Sequence, residues 1–319
     1  MDLITTPQSP LPSGYGAQTT AREVIGSRRL DGLTAVVTGG YAGVGLETTR
    51  AFSDAGATVI VLGRSPEKAR TALSGLARVE FDVLELGEPA SIDRFAERFL
   101  ASGRSLDMLI NNAGIMAAPL SRDARGFESQ LATNHIGHFQ LTMRLWPALA
   151  KANGARVVSL SSRGHARSGI DFDDPHFERR PYDKWIAYAQ SKTANALFAV
   201  ALDARGVPHG VRAFSVHPGA VLTDLMRFMP DEEITAAVAN SNKISPLKTT
   251  EQGAATSIWC ATSTQLDGKG GVYCEDVDIA PAVPADFPEP RGVRPWATNR
   301  EFAERLWLLS ESWTGARLP

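Results

Sequence analysis

Short apolar runs alternate with longer helical stretches along most of this chain, and this alternation constrains the fold more than any other feature. Several runs are continuously apolar, as is typical of strands buried on both faces of a sheet. Strand and helix repeated in this order predict an α/β fold, a single doubly wound domain of the Rossmann type with about seven parallel strands flanked by helices. The predicted strands cover residues 34–37, 58–62, 79–81, 108–110, 156–160, 211–216 and 271–274.

Composition excludes several classes of protein. The 319 residues are 43% hydrophobic and 21% charged, as in ordinary globular proteins. Because 33 Lys and Arg nearly balance 35 Asp and Glu, charge gives no reason to expect nucleic acid or an anionic membrane as the partner. The chain contains no run of 18 apolar residues and its start does not resemble a signal peptide, so we expect a cytoplasmic protein without a membrane anchor. Cys260 and Cys274 are too few for a disulfide framework or a metal cluster, and no metal is expected.

The chain divides into an arm and one domain. Residues 1–30 are polar and rich in proline and glycine, which predicts an arm rather than a packed element. No break in composition follows, so residues 31–319 are predicted to form one domain. Near its end, Thr298 and Glu301 fit a capping box that opens a terminal helix, and the apolar face of this helix should dock on the body.

A glycine-rich turn follows the first predicted strand. In a strand–turn–helix unit, glycines allow a tight turn, close approach of backbone to a pyrophosphate, and close packing of helix on strand. The N-terminus of the next helix then offers free N–H groups to the phosphates. The turn predicts a dinucleotide site, with a plain glycine-rich turn as the alternative. The residues expected to approach the cofactor are Gly39, Tyr41, Ala42, Gly43, Val44 and Gly45.

Residues after the second and third strands bear on the choice of cofactor. Arg64 stands where an acidic residue would bind the ribose hydroxyl of NAD, whereas an arginine pairs with the 2′-phosphate of NADP. Arg64 therefore favours NADP(H), with NAD(H) possible and a solvated arginine as the alternative. Asp82, with Val83, is a candidate to bind the adenine amino group; the alternative is an Asp that caps the next helix.

Tyr188 and Lys192 lie four residues apart and hence on one helix face. A free tyrosine has a pKa near 10, and a nearby cation lowers that pKa toward the working range of an acid or base. A surface pair of Tyr188 and Lys192 is the alternative.

Two polar clusters, at 161–162 and 111–114, follow the fifth and fourth strands, where such sheets bind ligands.

A long predicted helix contains Asn134 and Gly137, which are poor helix formers and suggest a local kink with a polar function. An exposed asparagine is the ordinary alternative. His135 and His138 are interpreted as core or packing residues.

Taken in order, these motifs resemble the classical short-chain dehydrogenase/reductase family, close to its retinol dehydrogenase-like branch. The resemblance spans residues 34 to about 224. The matching pieces are Gly39, Gly43 and Gly45, the segment 111–114, Asn134, Ser162, Tyr188 with Lys192, and His217, Pro218 and Gly219 leading to Thr223.

The resemblance implies a role for each catalytic candidate. Tyr188 would be the general acid/base, and Lys192 would lower its pKa and hold the nicotinamide ribose. Ser162 would bind the substrate oxygen, since family members place the active serine second in such a pair. Asn134 would position a water that links Lys192 to solvent. The resemblance also implies cofactor contacts from Asn112, Ala113, Gly114, Tyr188, Lys192, Pro218, Gly219, Val221 and Thr223, and a homo-oligomer (dimer or tetramer) built through the long helices.

The substrate side is less defined. Residues at about 224–249 would form a lid whose Leu225, Met226 and Phe228 suit an apolar ligand, or else an amphipathic helix packed on the body. The charged insertion 163–187 is either one wall of the site or a solvated loop. A polar arm replaces the apolar anchor of membrane-bound retinol dehydrogenases, so a retinoid substrate is not implied.

Together these observations predict an NADP(H)-dependent oxidoreductase that interconverts a ketone or aldehyde with an alcohol on a small, apolar molecule. The alternatives are a catalytically silent NADP(H)-sensing regulator and a C=C double-bond reductase of the protochlorophyllide-reductase type. An epimerase or dehydratase of the extended type would have a different glycine spacing.

Overall fold

A computed structural model describes residues 6–244 and 246–319 of the chain. Its centre is an eight-stranded sheet in the order β3-β2-β1-β4-β5-β6-β7-β8. Strands β1 to β7 run parallel, and β8 pairs antiparallel with β7. The strands are β1 (Thr34–Thr38), β2 (Thr58–Gly63), β3 (Val79–Val83), β4 (Met108–Asn111), β5 (Arg156–Leu160), β6 (Arg212–His217), β7 (Val272–Glu275) and β8 (Asp278–Ile279).

Helices cover both faces of the sheet. The α-helices are α1 (Ala21–Ile25), α2 (Gly43–Asp54), α3 (Pro66–Ala72), α4 (Pro89–Ala101), α5 (Ser129–Leu131), α6 (Gly137–Arg144), α7 (Trp146–Lys151), α8 (Lys184–Gly206), α9 (Asp231–Ile244), α10 (Thr250–Thr262), α11 (Pro295–Thr298) and α12 (Arg300–Thr314). A π-helix spans Ala132–Ile136, and 3₁₀ turns span Arg163–Arg167, Val207–His209, Asp224–Met226 and Thr264–Leu266. Among the described residues, no helix is both long and apolar enough to cross a bilayer.

Apolar residues on both faces explain why the sheet is buried. Successive strand residues point to opposite sides, so Val36 and Leu109 enter one core while Val37 and Ile110 enter the other. Helices α4, α6, α8 and α12 cover the first core, and α1, α2 and α10 cover the second. The predicted doubly wound fold is confirmed.

The expected count of about seven strands is one short. β8 has only two residues and follows a two-residue turn in which Asp276 and Val277 both have positive φ, +50° and +63°. Such turns join antiparallel strands because their twist matches that of the hairpin. A strand this short has no periodicity that the sequence could reveal.

The N-terminal segment is more ordered than its composition indicates. The Gln8 amide donates to the carbonyls of Tyr273 and Ala280, at 2.8 and 2.6 Å, and so fastens the segment beside β7 and β8. Helix α1 begins with a capping box at Thr20 and buries Val24 against the second core. The expectation of an unpacked arm is therefore corrected for residues 6–30. Polar side chains hold this segment, which explains its polar composition.

The terminal helix α12 begins at a different cap from the one expected. Asn299 accepts a hydrogen bond from the Phe302 N–H at 2.9 Å and caps the helix, in place of Thr298. Leu306 and Trp307 are buried, and the Trp307 ring stacks on Phe198 of α8 with centroids 6.1 Å apart. Helix α12 thus covers the outer side of α8.

Candidate active site

A cleft of about 1520 Å³ lies at the carboxyl ends of the parallel strands. Ligands bind at this end of doubly wound sheets because the loops that follow the strands meet there. The cleft has room for more than one small ligand, since typical small-molecule pockets measure roughly 300–1,000 Å³. Its walls are the glycine turn, the start of α8, the loop after β6 and residues 224–239, a part of the predicted lid at about 224–249 that we call the lid.

The glycine turn lies directly against the end of β4. A Cβ on Gly45 would lie 2.4 Å from the Asn112 amide nitrogen and 2.5 Å from the Gly39 carbonyl oxygen, so no larger residue fits there. Gly39 has φ +66°, which favours glycine. Helix α2 has no side-chain cap, which leaves N–H groups of its first turn free to bind an anion. This cradle fits the pyrophosphate of a dinucleotide.

Thr38 and Asn112 hold the first and fourth strands together below the turn. The Thr38 hydroxyl accepts from the backbone N–H groups of Asn112 and Ala113, both at 2.9 Å, and contacts His138 Nε2 at 2.8 Å. Burial lowers the pKa of His138 to about 4, so the ring is neutral. His138, like His135, is buried and serves packing.

The edge near β2 and β3 differs from the expectation at two residues. Arg64 lines the cleft and contacts Glu85 at 3.4 Å. Asp82 instead forms an ion pair with Arg98 at 2.9 Å, and neither it nor Val83 lines the cleft. The reason is that β3 continues to Val83, two residues beyond the predicted end.

Glu85 and Leu86 take the position at the cleft that Asp82 and Val83 were expected to have. A more accurate end for β3 would have found them, because ligands bind beyond the carboxyl end of a strand.

Tyr188 and Ser162 meet at the centre of the cleft. Tyr188 lies on the second turn of α8, whose N-terminus is capped by the Asp183 side chain. The Gly164 N–H donates to the Ser162 hydroxyl oxygen at 3.0 Å and fixes that side chain. A Cβ on Gly164 would lie 2.9 Å from the Tyr188 ring, so glycine allows this close approach. Gly164 is a site residue that the sequence analysis missed.

Lys192 and Asn134 lie behind Tyr188. The Lys192 ammonium is 5.7 Å from the centre of the Tyr188 ring and donates to the Leu160 carbonyl at 2.8 Å. The Asn134 side chain accepts from the Ile115 N–H at 2.8 Å and donates to the Ser191 hydroxyl at 2.9 Å.

Asn134 lies within the π-helix, an irregularity that is frequent at functional sites and that explains the poor helix formers in this segment. Among the predicted catalytic and cofactor residues, Asn134, Asp82 and Val83 do not line the cleft; Asn134 lies directly behind it, buried.

Burial dominates the titration of the pair formed by Tyr188 and Lys192. It raises the pKa of Tyr188 to about 12, and a hydrogen bond with Ser162 lowers that pKa in part. It also lowers the pKa of Lys192 to about 7. Burial is the largest influence on both groups, and the expected lowering of the Tyr188 pKa by Lys192 stays a prediction.

Apolar side chains pack against Tyr188 in the wall of the cleft. Met116, Ala117, Tyr188 and Met229 form one buried cluster, and Trp185 packs against it. The lid helix α9 is fastened to the first turn of α8 by one carboxylate: Glu233 contacts the Lys184 ammonium at 2.6 Å and accepts from the Trp185 indole at 3.3 Å. An apolar ligand would therefore reach Tyr188 between the lid and α8.

The loop after β6 closes the remaining side of the cleft. Four predicted cofactor residues, Pro218, Gly219, Val221 and Thr223, line it. Lys248 supports the loop from behind: its N–H donates to the Ala220 carbonyl at 2.9 Å, and a Cβ on Gly219 would lie 2.5 Å from the Lys248 side chain. No sequence signal pointed to Lys248.

The part of the chain that the structure describes contains no group of three or more His, Cys, Asp or Glu residues that could hold a metal ion.

Comparison with known proteins decides the family. The sequence model described as short chain dehydrogenase matches residues 33–234. This chain belongs to the short-chain dehydrogenase/reductase family. A probable oxidoreductase of Streptomyces lividans is 44% identical over 289 residues, which are 87% of this chain and 96% of the relative. Human retinol dehydrogenase 12 is 37% identical over 296 residues, 91% of this chain and 88% of the relative, and supports the retinol dehydrogenase-like branch.

Solved structures agree with this assignment. A structure of an uncharacterised protein from Mycobacterium paratuberculosis superimposes with a TM-score of 0.73 at 32% identity, covering 93% of this chain and 98% of the other. A protein of Beutenbergia cavernae with bound NADP, assigned as an NAD(P)-dependent gluconate 5-dehydrogenase, gives a TM-score of 0.63 at 26% identity, covering 78% and 97%. This short-chain dehydrogenase/reductase is an NAD(P)-dependent oxidoreductase that acts on CH–OH groups.

Proposed function

We propose that this enzyme interconverts a ketone or aldehyde with an alcohol on an apolar substrate, uses NADP(H) in preference to NAD(H), and employs Tyr188 as general acid/base. The observation that carries the proposal is that one cleft is lined by the glycine turn, by Tyr188, and by Met116 and Met229 from the apolar cluster that contains Tyr188.

Each catalytic side chain has a role that its contacts support. The Ser162 hydroxyl oxygen accepts the Gly164 N–H, and its own proton, which hydrogen-bonds Tyr188 while no substrate is bound, would be donated to the substrate oxygen. Tyr188 donates its proton to that oxygen in reduction and accepts it in oxidation. Lys192 binds the nicotinamide ribose and stabilises the phenolate, and Asn134 links it to a water. A bound nicotinamide supplies or removes the two electrons as hydride.

Two arginines favour NADP(H). Arg64 and Arg227 both line the cleft, and Arg227 belongs to the lid. Burial, followed by the nearby Arg64 guanidinium, lowers the pKa of Arg227. Because two cations repel each other, an anion that lies between them is favoured. The 2′-phosphate of NADP is such an anion, and it would also link lid closure to cofactor binding.

The wall near Tyr188 supports an apolar substrate, since its contacts are methionine, leucine and tryptophan side chains. Homologues named retinol dehydrogenase 12 suggest one large apolar aldehyde, all-trans-retinal, as a probe beside smaller ones.

The homo-oligomer through the long helices stays a prediction. Helix α12 covers the outer side of α8 with the buried side chains of Leu306 and Trp307, so assembly through α8 would have to include α12. Light scattering on the full chain, combined with gel filtration, measures the state.

The test is consumption of NADPH with decanal, acetophenone, all-trans-retinal and the enone benzylideneacetone, using Tyr188→Phe as the matched control. We expect turnover to fall on the order of a hundredfold or more in the variant, while the Kd for NADPH is unchanged. Equal turnover would refute the role of Tyr188.

The same panel separates the two alternative functions. A saturated ketone as the product of benzylideneacetone would indicate C=C reduction. Tight NADPH binding without Tyr188-dependent turnover of any member would favour the silent sensor.

A further inference from the structure

Ser162 caps a short 3₁₀ turn. Residues other than the proposed catalytic ones hold this turn in place. The turn spans Arg163–Arg167, and Ser162 is its N-cap. The His165 N–H donates to the Ser162 carbonyl at 3.0 Å, and the Gly164 N–H donates to the Ser162 hydroxyl at 3.0 Å. The position of the serine side chain therefore depends on the position of this turn.

His165 fixes the turn through both of its ring nitrogens. Its Nε2 accepts the backbone N–H of Arg294 at 3.2 Å, and its Nδ1 lies 2.7 Å from the Ser162 carbonyl oxygen. Since a backbone N–H can only donate, Nε2 is the acceptor and the ring proton is on Nδ1. Nδ1 therefore donates to Ser162. The ring is 1% exposed and packs on Tyr273, with centroids 4.8 Å apart.

The segment that contacts His165 is itself firmly folded. We name residues 287–296 the C-terminal strap. The buried Arg294 guanidinium donates to the carbonyls of Phe287 and Glu289, at 2.8 and 3.2 Å, and so closes the strap on itself. The Trp296 indole donates to the His165 carbonyl at 2.9 Å. Two residues of the strap thus hold the same histidine.

We propose that His165 is a positioning residue, which transmits the position of the C-terminal strap to the catalytic Ser162. The strap lies outside residues 33–234, which the family model matches, so the catalytic serine depends on a segment beyond the family's common region. The kinetic consequence of this link rests on the proposed function, whereas the link itself does not.

A matched pair of variants isolates the hydrogen bond between the strap and His165. Arg294 has φ −76°, which proline also adopts, and its N–H is the group that proline lacks. Arg294→Pro removes both this N–H and the guanidinium, whereas Arg294→Ala removes the guanidinium alone. Any difference between the two variants therefore reports the N–H.

The first measurement is amide hydrogen exchange in peptides that cover residues 160–168, which needs no substrate. We expect faster exchange in Arg294→Pro than in Arg294→Ala. The second is kinetics with the fastest carbonyl of the panel. We expect kcat about tenfold lower in Arg294→Pro than in Arg294→Ala, with an equal Kd for NADPH.

A second pair tests the histidine directly. In His165→Asn, the amide N–H stands near the Nδ1 position and retains the hydrogen bond to Ser162, whereas His165→Gln places its amide near Nε2 and loses that bond. We expect kcat to decrease from wild type to His165→Asn to His165→Gln. If His165 only stabilised the fold, kcat would follow the thermal midpoint in both variants instead.

The outcomes separate this proposal from the proposed function. Equal exchange in the two Arg294 variants overturns the link, and unequal exchange with equal kcat overturns the positioning role. If Tyr188→Phe is as active as wild type while the exchange rates differ, the proposed function fails and the link between strap and serine turn stands.

Discussion

The two halves of the cleft are built in different ways. The cofactor half uses the ends of β1, β2 and β4, where backbone and short side chains meet so closely that Gly45 and Asn112 leave no space between them. The substrate half joins the start of α8 to the lid through apolar contacts and, among the described residues, through the carboxylate of Glu233, which is 34% exposed. Steric fit fixes the first half, whereas a few side-chain contacts fix the second. The cofactor half should therefore tolerate little substitution, and the substrate half should be adjustable.

The largest expected effect tests the steric half. In Gly45→Ala the new methyl group must displace Asn112 or the Gly39 carbonyl, and such overpacking costs about 1–3 kcal/mol of unfolding free energy. If relief of this strain moves the N–H groups of the turn away from the phosphates, an added cost falls on the bound state alone, and the Kd for NADPH rises by on the order of a hundredfold. Calorimetry measures the Kd, and a thermal scan measures stability.

The control for this variant is Gly87→Ala, because a Cβ there meets only the Glu85 carboxylate at 3.7 Å. Gly87→Ala should retain wild-type affinity. Equal affinity in Gly45→Ala and wild type would contradict the idea that sterics fix the cofactor half.

The next effect concerns charge at the edge of the same half. Arg64→Asp should shift the ratio of kcat/KM for NADPH to that for NADH toward NADH by about 10- to 100-fold, because a charge-assisted hydrogen bond to the 2′-phosphate is lost and repulsion is gained. Arg98→Asp is the matched control: it makes the same change of charge in an arginine that pairs with Asp82 outside the cleft.

The ratio should not move in Arg98→Asp. If it moves as much there as in Arg64→Asp, then overall charge, and not a phosphate contact of Arg64, sets the preference. If the ratio changes in neither variant, Arg64 does not determine the preference for NADPH.

The accuracy of the predictions made from the sequence differs between the same two halves of the cleft. Each of the seven parallel strands was predicted within two residues of its ends. Central strands such as β1 are buried on both faces and nearly continuously apolar, whereas β3 is not buried and its end was the least well predicted. The predicted contacts of Gly39, Gly43 and Gly45 rest on a spacing that carries a steric requirement. Asp82 and Val83 were predicted at this edge, whereas Glu85 and Leu86 line it, because the predicted β3 ends two residues early.

The substrate half was less predictable because its contacts join distant parts of the chain. Lys248 behind the cofactor loop, and His165 and Arg294 behind Ser162, likewise act through hydrogen bonds with backbone groups that leave no local pattern in the sequence. The N-terminal segment shows the same limitation, since Gln8 reaches a carbonyl 265 residues away. Periodicity detects burial against a sheet, but it does not detect which loop a polar side chain will hold.

A pH profile tests the pair that lies where the two halves meet. Lys192 supports the Tyr188 phenolate only while it is protonated, and burial lowers the pKa of Lys192 to about 7. The protonated fraction falls as pH rises, so kcat/KM for NADPH, which reports the free enzyme, should decrease above about pH 7, by on the order of tenfold per unit.

Lys192→Arg keeps its charge throughout this range and should lose this decrease, whatever its absolute rate. Repeating the profile with NADH removes any contribution from titration of the 2′-phosphate. A wild-type profile that is flat on both sides of neutral pH would contradict the titration assigned to Lys192.

The smallest expected effect tests the adjustable half. Glu233→Ala removes the two polar contacts that Glu233 makes with α8, whereas Glu233→Gln removes the charge but keeps an oxygen that can accept from the Trp185 indole. Because the ion pair with Lys184 is partly exposed, we expect only about a two- to fivefold rise in the KM for an apolar aldehyde in Glu233→Ala, and less in Glu233→Gln, with kcat and the Kd for NADPH unchanged. Added salt should raise the KM of wild type toward that of Glu233→Gln, since screening weakens the same ion pair. If Glu233→Ala instead lowers cofactor affinity, the lid belongs to the cofactor half, and the division of the cleft into a steric and an adjustable half fails at α9.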